Sequence, residues 1–345
     1  MIDPRDMEAC RNAIRHGSLS FHAASRLLPA HVRGPALALY AFCRLADDAV
    51  DLHTEQADAV LHLRDRLDLV YEGRPRDAAA DRAFAAVVED FDMPRALPDA
   101  LLEGLAWDAA GRRYNTLEDL HGYSARVASV IGVMMGVLMG VRDQHALARA
   151  CDLGVAMQLT NIARDIGEDA REGRLYIPLD WLAEAGMTAD AFLRAPYPTA
   201  PVRRMVKRLL MEANRLYFRS EAGLSALPIS ARPGIFAARF IYAGIGGQIH
   251  RMAYDSLTRR ARTSKAQKLG WLGLSMWRSV VTMMMPRSAV IYAAPLPQVA
   301  FLVEAAAVPA DTWSRSDALF DVLATLERHR QAQHGHLIQK APRLG

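Results

Sequence analysis

The sequence predicts an all-α fold, and three observations support this prediction. About half of the 345 residues are apolar, which is enough for a large buried core. Aliphatic residues, Ala and Met supply most of that content, aromatic residues make up only 7%, and alternating runs of Val, Ile, Thr and Tyr are hard to find. Turn-forming Gly and Pro residues divide the chain into segments of helical length, so we expect roughly eight to ten helices.

Composition and charge restrict the class of protein. The net charge is only +4 and the arginines are scattered among acids, so we expect no nucleic-acid partner. A mild excess of arginine suits either phosphate-bearing substrates or an anionic membrane face, and composition does not choose between them. Cys10, Cys43 and Cys151 lie far apart without metal-ligand spacing, which is typical of reduced thiols. The N-terminus lacks the apolar core of a secretory signal, so we expect a cytoplasmic protein.

The first element of chemical interest is a helix predicted from about Ala36 to about Leu52. On this helix Asp47 and Asp51 lie one turn apart on the same face, and Asp48 lies beside them. Solvation is the ordinary explanation for such a pair. Here the neighbouring residues are mostly apolar, so we interpret the three carboxylates as facing a cavity.

The second element, residues 127–141, reads VASVIGVMMGVLMGV and carries no charge. It is too short to span a bilayer, which takes roughly 20 apolar residues, so we predict a buried helix. Gly132, Gly136 and Gly140 recur at every fourth position and leave one face without side chains. This pattern fits either close helix packing or the wall of a groove for a flexible hydrocarbon.

The third element is a helix that contains residues 158–169. Asn161, Asp165 and Asp169 recur at every fourth position, and Gln158 precedes them on the same face. Two separate acidic rows in apolar helices are hard to explain by solvation, whereas facing carboxylate arrays bind hard cations. Oxygen ligands suit Mg²⁺, which is commonly shared between carboxylates and substrate phosphates. The two rows therefore predict a Mg²⁺ site that binds a diphosphate.

The remaining elements are less regular. The Trp-containing apolar stretch over residues 271–285 fits either a helix in a membrane interface or core packing. Because no linker separates two apolar halves, we predict one helical domain over residues 1–290. Residues 291–345 are expected to form a C-terminal extension that is only partly helical.

These motifs are similar to those of a known family, the squalene and phytoene synthases, which join two isoprenyl diphosphates head to head. The similarity runs from about Gly17 to about Leu269. Its most specific part consists of Leu153-Gly154, Gln158, Asn161-Ile162, Arg164-Asp165, Glu168-Asp169, Arg174, Tyr176 and Pro178. Residues 40–44 and 123–128 add support. The sequence departs from the family pattern at one place. Arg126 stands where the family often has an aromatic residue, and Val127-Ala128-Ser129 follows in place of Val-Ala-Gly. This difference affects the expected shape of the local pocket and not the metal site.

The resemblance implies an isoprenoid-synthase fold around a deep central cavity, with both acidic rows at its mouth. The implied ligands of Mg²⁺, for which Mn²⁺ is the alternative, are Asp47, Asp48, Asp51, Asn161, Asp165 and Asp169. The implied catalytic residues are Tyr40, Arg44, Tyr123, Asp47, Asp51, Asp165 and Asp169. The implied substrate-binding residues are Ser18, Phe21, Arg44, Val127, Ile131, Gln158, Asn161, Arg164, Tyr242 and Arg260, with Arg259 as an alternative to its neighbour. No nicotinamide cofactor is expected, because a Gly-rich dinucleotide fingerprint is not apparent.

The implied reaction is the 1′-2-3 condensation of two geranylgeranyl diphosphates, through a cyclopropyl diphosphate, to phytoene in carotenoid biosynthesis. Ser25 follows Phe21 by one turn, at a position where thirty-carbon members of the family often carry an aromatic residue, and it leaves room for the longer substrate. A squalene or dehydrosqualene synthase that uses farnesyl diphosphate is the first alternative. A non-catalytic assembly factor is the second, although such a protein need not keep the aspartates. The expected partners are the isoprenyl diphosphates, the inner membrane surface, to which the protein would bind peripherally, and other carotenoid enzymes.

Overall fold

A computed structural model describes residues 2–17, 25–52, 56–284 and 286–308, with side chains at residues 2–12, 25–44, 59–284 and 286–308. The chain divides into two compact units, residues 1–307 and 308–345. The described helices and the cavity lie in the first unit. The predicted C-terminal extension over residues 291–345 is described only as far as residue 308, so the domain division at residue 290 stays a prediction.

The first half of this unit consists of helices joined by short turns. Its helices are α1 (Pro4–Gly17), α2 (Ala30–Leu52), α3 (Gln56–Tyr71), α4 (Ala79–Phe91), α5 (Ala96–Ala109), α6 (Leu117–Ser124) and α7 (Val130–Leu138). A π-helical turn, Ala125–Ser129, joins α6 directly to α7. The N-terminus of α6 is fixed by a capping box, in which the Asp119 amide donates to the Thr116 hydroxyl and the Asp119 carboxylate accepts from the Thr116 amide.

The second half is built around two long helices. Its helices are α8 (Gln144–Arg171), α9 (Leu179–Glu184), α10 (Ala189–Arg194), α11 (Ala200–Leu224), α12 (Arg232–Arg251), α13 (Lys265–Met284) and α14 (Ala300–Ala306), with 3₁₀ turns at Ala289–Tyr292 and Pro297–Val299. Helices α8 and α11 share the most extensive interface of the described residues. The all-α prediction is confirmed, because no strand occurs in the described part of the chain.

Two sequence expectations about helices have different outcomes. The predicted buried helix over residues 127–141 is confirmed for residues 130–138, since α7 buries all but two of its residues. Residues 127–129 belong to the π-helical turn, and no described helix is both long and apolar enough to cross a bilayer. The expected number of helices was too low. Helices α9, α10 and α14 contain only six or seven residues each, and the π-helical turn divides a segment that reads as one helix in the sequence.

Helix α8 runs through the centre of the unit and packs closely on its neighbours through glycine. A Cβ atom at Gly154 would collide with the backbone of Ser129 in the π-helical turn. At Gly132 in α7, a Cβ atom would lie 2.9 Å from the carbonyl oxygen of Ala150 in α8. Gly132 and Gly136 therefore mediate close helix packing, and both also line a cavity beside α8, so the two predicted roles of these glycines occur together. Gly140, with φ of 72°, ends the segment in a left-handed conformation.

A buried ionic cluster ties the segment after α13 to the two long helices. The Asp152 Oδ2 atom lies 2.9 Å from Nε of Arg149 and accepts a hydrogen bond of 3.0 Å from Nε of Arg219. Both Arg149 and Asp152 have fully buried side chains. The remaining donors of the two arginines reach backbone carbonyls: Arg149 donates to Val290 at 2.8 Å and Arg219 to Ala294 at 2.7 Å. These bonds fix residues 290–294 against α8 and α11.

Candidate active site

A cavity of about 740 Å³ lies beside α8. Its lining comes from α2, α5, α6 through Tyr123, the π-helical turn, α7, α8, α11 and α12. On α8 the lining extends from Ala146 to Asp165, a distance of about 28 Å at a rise of 1.5 Å per residue. Most of the wall is apolar. The polar lining residues of α8 lie toward its C-terminal end, except for Arg149 near its N-terminal end, whose charge is balanced by the buried Asp152. The cavity is thus elongated and differs chemically between its two ends.

The polar end is formed by the second predicted motif. Gln158, Asn161, Arg164 and Asp165 all line the cavity, as their spacing on one side of α8 requires. Asp165 accepts a 2.8 Å hydrogen bond from Nε of Arg164 through Oδ1, and Arg164 Nη2 also donates to Oδ2. Arg260 approaches the same carboxylate, with Nε 2.8 Å from Oδ1 and with Nη1 2.9 Å from Oε2 of Glu168. Two guanidinium groups and a carboxylate therefore meet at this end of the cavity.

Asp169 lies one turn beyond Asp165 and is not part of the cavity lining. Its side chain is mostly buried, and its nearest described cation is Arg174, with Nη2 3.8 Å from Oδ1. Burial raises the pKa of Asp169 to about 7, because desolvation outweighs the attraction of Arg174. A buried carboxylate of this kind favours a compensating cation nearby. Its two oxygen atoms are the type of ligand that Mg²⁺ prefers.

The first acidic row lies at the C-terminal end of α2. Tyr40 and Arg44 on this helix line the cavity. The side chains of Asp47, Asp48 and Asp51 lie outside the described residues, although the backbone of α2 continues to Leu52. Among the described residues, no three His, Cys, Asp or Glu side chains come together as a metal site, so the six-ligand prediction stays a prediction.

The remaining predicted substrate-binding residues are distributed around the cavity. Val127, Ile131 and Tyr242 line it, and burial raises the pKa of Tyr242. Arg260 also lines the cavity, whereas its neighbour Arg259 does not. Ser25 lines the cavity too, which is relevant to the prediction about chain length. Ser18 and Phe21 lie outside the described residues.

The sequence reasoning missed Asp108, at the end of α5. This carboxylate lines the cavity and accepts two hydrogen bonds of 2.8 Å, from the hydroxyl of Tyr123 to Oδ2 and from the hydroxyl of Tyr176 to Oδ1. Burial raises the pKa of Tyr123 well above its usual range, and the negative charge of Asp108 adds to this effect, so Tyr123 stays protonated as a donor. One feature of the sequence could have indicated Asp108. An acid in the last turn of a helix is disfavoured by the helix dipole, so its presence there suggests a functional role.

Aromatic rings surround Asp108. The ring centroids of Tyr123 and Tyr176 lie 5.2 Å apart, and Tyr114 lies 5.2 Å from Tyr123 and 6.2 Å from Tyr176. Arg126, the departure noted in the sequence, lies on the outer side of this group with its guanidinium carbon 4.3 Å from the ring centroid of Trp107. The arrangement joins one fixed negative charge to several π faces, both of which stabilise a nearby positive charge.

Known proteins resemble this chain over most of its length. The family model described as squalene/phytoene synthase matches residues 14–267. The phytoene synthase of Cereibacter sphaeroides is 59% identical, with 99% of each chain covered. The phytoene synthase of Rhodobacter capsulatus is 56% identical, with 95% of this chain and 97% of the relative covered.

Solved structures show the same helical architecture. A dehydrosqualene synthase in complex with a ligand superimposes with a TM-score of 0.73 and 29% identity, covering 81% of this chain and 97% of the other. A squalene synthase from Alicyclobacillus acidocaldarius superimposes with a TM-score of 0.67 and 27% identity, covering 72% of this chain and 95% of the other.

Proposed function

The chain belongs to the squalene/phytoene synthase family, and we propose that it joins two molecules of geranylgeranyl diphosphate head to head to form phytoene. The observation that carries this proposal is the long cavity with arginines and Asp165 at one end and apolar walls along its length. Such a cavity suits a molecule with a charged head and a hydrocarbon tail. The chain is a prenyltransferase of the family to which its relatives belong, and its place is in carotenoid biosynthesis.

The diphosphate groups would bind at the polar end of the cavity. Arg44, Arg164 and Arg260 all line this space and supply guanidinium donors that match phosphate oxygens. Asn161, Asp165 and Asp169, with Asp47, Asp48 and Asp51 of α2, would hold Mg²⁺. When bound there, Mg²⁺ neutralises the charge of the departing diphosphate. The arginines orient the same group, so that the allylic carbon–oxygen bond breaks inside the cavity and not in water.

The apolar part of the cavity would then protect the cationic intermediates. Departure of one diphosphate leaves an allylic cation, the double bond of the second chain attacks it, and loss of a proton closes a cyclopropane. Departure of the second diphosphate, rearrangement and loss of another proton give the triene. Asp108, Tyr123 and Tyr176 stabilise positive charge along this route, because the carboxylate is held by its two tyrosine donors and the ring faces are electron-rich.

Two observations favour the longer substrate over farnesyl diphosphate. Ser25, a small residue, lines the cavity, where a large aromatic side chain would shorten it. The relatives that cover nearly the whole chain at 56% and 59% identity are phytoene synthases. Dehydrosqualene synthase remains the alternative, since the structure of one superimposes well.

A product assay tests the proposal. The purified protein is incubated with Mg²⁺ and either geranylgeranyl or farnesyl diphosphate, and the extracted lipid is identified by mass spectrometry. We expect a forty-carbon hydrocarbon with a central conjugated triene, and two inorganic diphosphates per product, from the longer substrate. A thirty-carbon product alone would identify a squalene-type or dehydrosqualene-type enzyme. No product from either substrate would support the assembly-factor alternative.

We also propose peripheral association with the cytoplasmic face of the membrane through α13. This helix carries Lys265 and Lys268 and contains no acid, whereas its Arg278 is already paired with Glu221 of α11 at 2.8 Å. It exposes large apolar side chains, including Leu269 at 70%, Trp277 at 65% and Met284 at 84%. Basic and apolar groups on one helix suit an anionic lipid surface. Trp271 has a different role, because its ring packs against Gly244 of α12.

Vesicle flotation tests this association. The wild-type protein should float with vesicles that contain anionic lipid, and Trp277→Asp should reduce the floating fraction several-fold. Failure of the wild-type protein to float would remove the proposal, as would equal flotation of the two proteins.

A further inference from the structure

Arg260 depends on an unusual loop for its position. It lies on the segment between α12 and α13, and its guanidinium contacts Asp165 and Glu168 of α8 at 2.8 and 2.9 Å. The side chain is 45% exposed. An exposed arginine loses considerable rotamer freedom when it is held in one place, so its position depends strongly on where the backbone of the loop is fixed.

Gly167 provides one point of attachment. It lies on α8 between the two acids that Arg260 contacts, and its amide donates to the carbonyl oxygen of Ser256 at 3.3 Å. A Cβ atom at Gly167 would lie 2.7 Å from both Cα and the carbonyl oxygen of Leu257. The loop backbone therefore rests directly on the helix at a position where no side chain fits.

Asp255 provides a second point of attachment. Its Oδ1 accepts from the amides of Leu257 at 3.2 Å and Thr258 at 3.0 Å, and its Oδ2 accepts from the Thr258 hydroxyl at 2.7 Å. Arg203 of α11 donates to Oδ2 of Asp255 at 3.3 Å and to the carbonyl of Ala253 at 2.9 Å. The loop is thus tied to α11 as well as to α8.

The loop backbone also has an uncommon conformation. Ala253 and Tyr254 both have positive φ, at 53° and 61°. Residues other than glycine pay an energetic cost for this conformation and keep it only when the surrounding structure holds them there. Attachment through Gly167 and Asp255 supplies that restraint.

We propose that Gly167 and Asp255 are positioning residues, which hold Arg260 at the mouth of the cavity where it meets the diphosphate. The inference rests on the proposed function, in which Arg260 is a ligand of the diphosphate. Neither residue lines the cavity, so each acts through the loop and not by contact with the substrate.

The test compares Gly167→Ala with Gly247→Ala. Gly247 lies inside α12 and belongs to no part of the site, and a Cβ atom added there would meet no neighbouring group within 4 Å. It therefore controls for the change from glycine to alanine in a helix. We expect Gly167→Ala to raise KM for geranylgeranyl diphosphate about tenfold, equivalent to ~1.4 kcal/mol, with a smaller change in kcat. Gly247→Ala should keep the wild-type KM.

A double variant separates positioning from a purely structural effect. In an Arg260→Ala background, Gly167→Ala should cause no further rise in KM, because the residue that it positions is gone. An equal rise in both backgrounds, or an unchanged KM in the single variant, would overturn the proposal. If Gly167→Ala does not fold, Asp255→Asn replaces it in the same comparison, since it weakens the ion pair with Arg203 while keeping the side-chain size.

Binding of inorganic pyrophosphate with Mg²⁺, measured by calorimetry, distinguishes this proposal from the proposed function. If the wild-type protein makes no forty-carbon product but Gly167→Ala weakens pyrophosphate binding about tenfold, the reaction is misassigned and the positioning role holds. If the wild-type protein makes phytoene and Gly167→Ala binds pyrophosphate as tightly as the wild type, the positioning role is wrong.

Discussion

Asp165 forms ion pairs with two arginines that lie on different elements of the fold. Arg164 is its neighbour on α8, whereas Arg260 comes from a loop 95 positions later in the sequence. The carboxylate is partly buried, so these contacts are stronger than they would be at an exposed site. A ligand with negative phosphate groups competes with Asp165 for the same arginines. Binding of such a ligand would therefore replace ion pairs to Asp165 with ion pairs to phosphate.

Replacement of Asp165 tests its role in the reaction. We expect Asp165→Ala to reduce kcat by roughly 10²–10³-fold or more, comparable to the loss of a group that stabilises developing charge. Far-ultraviolet circular dichroism should stay unchanged, because α8 is held by its other faces. The control is Asp190→Asn, an exposed acid on α10. Near-wild-type activity of Asp165→Ala would refute the assigned role.

Asp108 offers a second test at this scale. Asp108→Asn keeps the shape of the side chain but removes its charge, so kcat should fall about 10²-fold while KM changes little. The unfolding free energy should fall by about 1–3 kcal/mol, since hydrogen bonds to a charged group contribute that much. Tyr176→Phe removes one of the two donors and provides the comparison. Unchanged kcat in Asp108→Asn would show that the carboxylate is only structural.

Asp165 and Asp108 differ in how far the sequence reveals them. The row Asn161, Asp165 and Asp169 could be predicted because regular spacing places it on one side of a helix. Asp108 has no such row, and its partners Tyr123 and Tyr176 lie 15 and 68 positions away. The family resemblance indicated Tyr123 and Tyr176, but only tertiary packing brings them to Asp108, for which the sequence has no periodic signal.

At the scale of helices, the contact of α8 with the π-helical turn sets one wall of the cavity. Val127 and Ala128 of that turn both line the cavity, and Ser129 packs against Gly154. π-helical turns are often found at functional sites. The sequence predicted a continuous helix here because a single extra residue in a helical turn leaves no compositional trace.

Gly154→Ala should therefore destabilise the protein. The added Cβ atom would collide with backbone atoms of Ser129, which cannot move aside as a flexible side chain could. We expect the unfolding free energy to fall by about 1–3 kcal/mol or more, measured by denaturant titration. Gly247→Ala is again the matched control and should be neutral or slightly stabilising. Equal unfolding free energies of Gly154→Ala and wild type would mean that α8 and the π-helical turn can move apart without loss of stability.

The packing of α1 on α4 should depend on pH. The hydrogen bond from Arg82 holds the pKa of Asp6 below its ordinary value of 3.8, against the opposing effect of burial. A lowered pKa in the folded state means that the stabilisation is present above the unfolded pKa and is lost as pH falls through the folded one. Asp6→Asn should thus destabilise the protein at pH 6–8, and thermal unfolding should show the difference from wild type shrinking below about pH 4. A difference that stays constant down to pH 2 would contradict this.

At the scale of the whole molecule, ligand binding should be measurable as stability. Mg²⁺ with inorganic pyrophosphate, at about 100 times the dissociation constant, should add ~2.7 kcal/mol to the unfolding free energy. In a chain of this size the expected rise in Tm is a few degrees, measured by scanning calorimetry. Chelation of the metal should reverse most of it. A rise of equal size in the presence of excess chelator would show that the metal is not required.

The overall architecture could be predicted further than the contacts inside it. Helical periodicity and composition predicted an all-α unit, and the motifs in α2, α7 and α8 indicated the family. The attachment of Arg260 through Gly167 could not be predicted, because it depends on how a loop meets a helix far from it in sequence. The same holds for the cluster of Arg149, Asp152 and Arg219, whose partners at Val290 and Ala294 are backbone carbonyls and carry no residue-specific signal.

That cluster has a consequence for the order in which a nascent chain matures on the ribosome. A guanidinium that is fully buried requires its acceptors, and two of those available to Arg149 and Arg219 lie on carbonyls at residues 290 and 294. Until that segment has left the exit tunnel, the N-terminal half of α8 must keep its arginine hydrated. Final closure of the unit therefore waits until residues 290–294 have emerged, and the end of α8 that carries Arg149 is among the last parts of the unit to close.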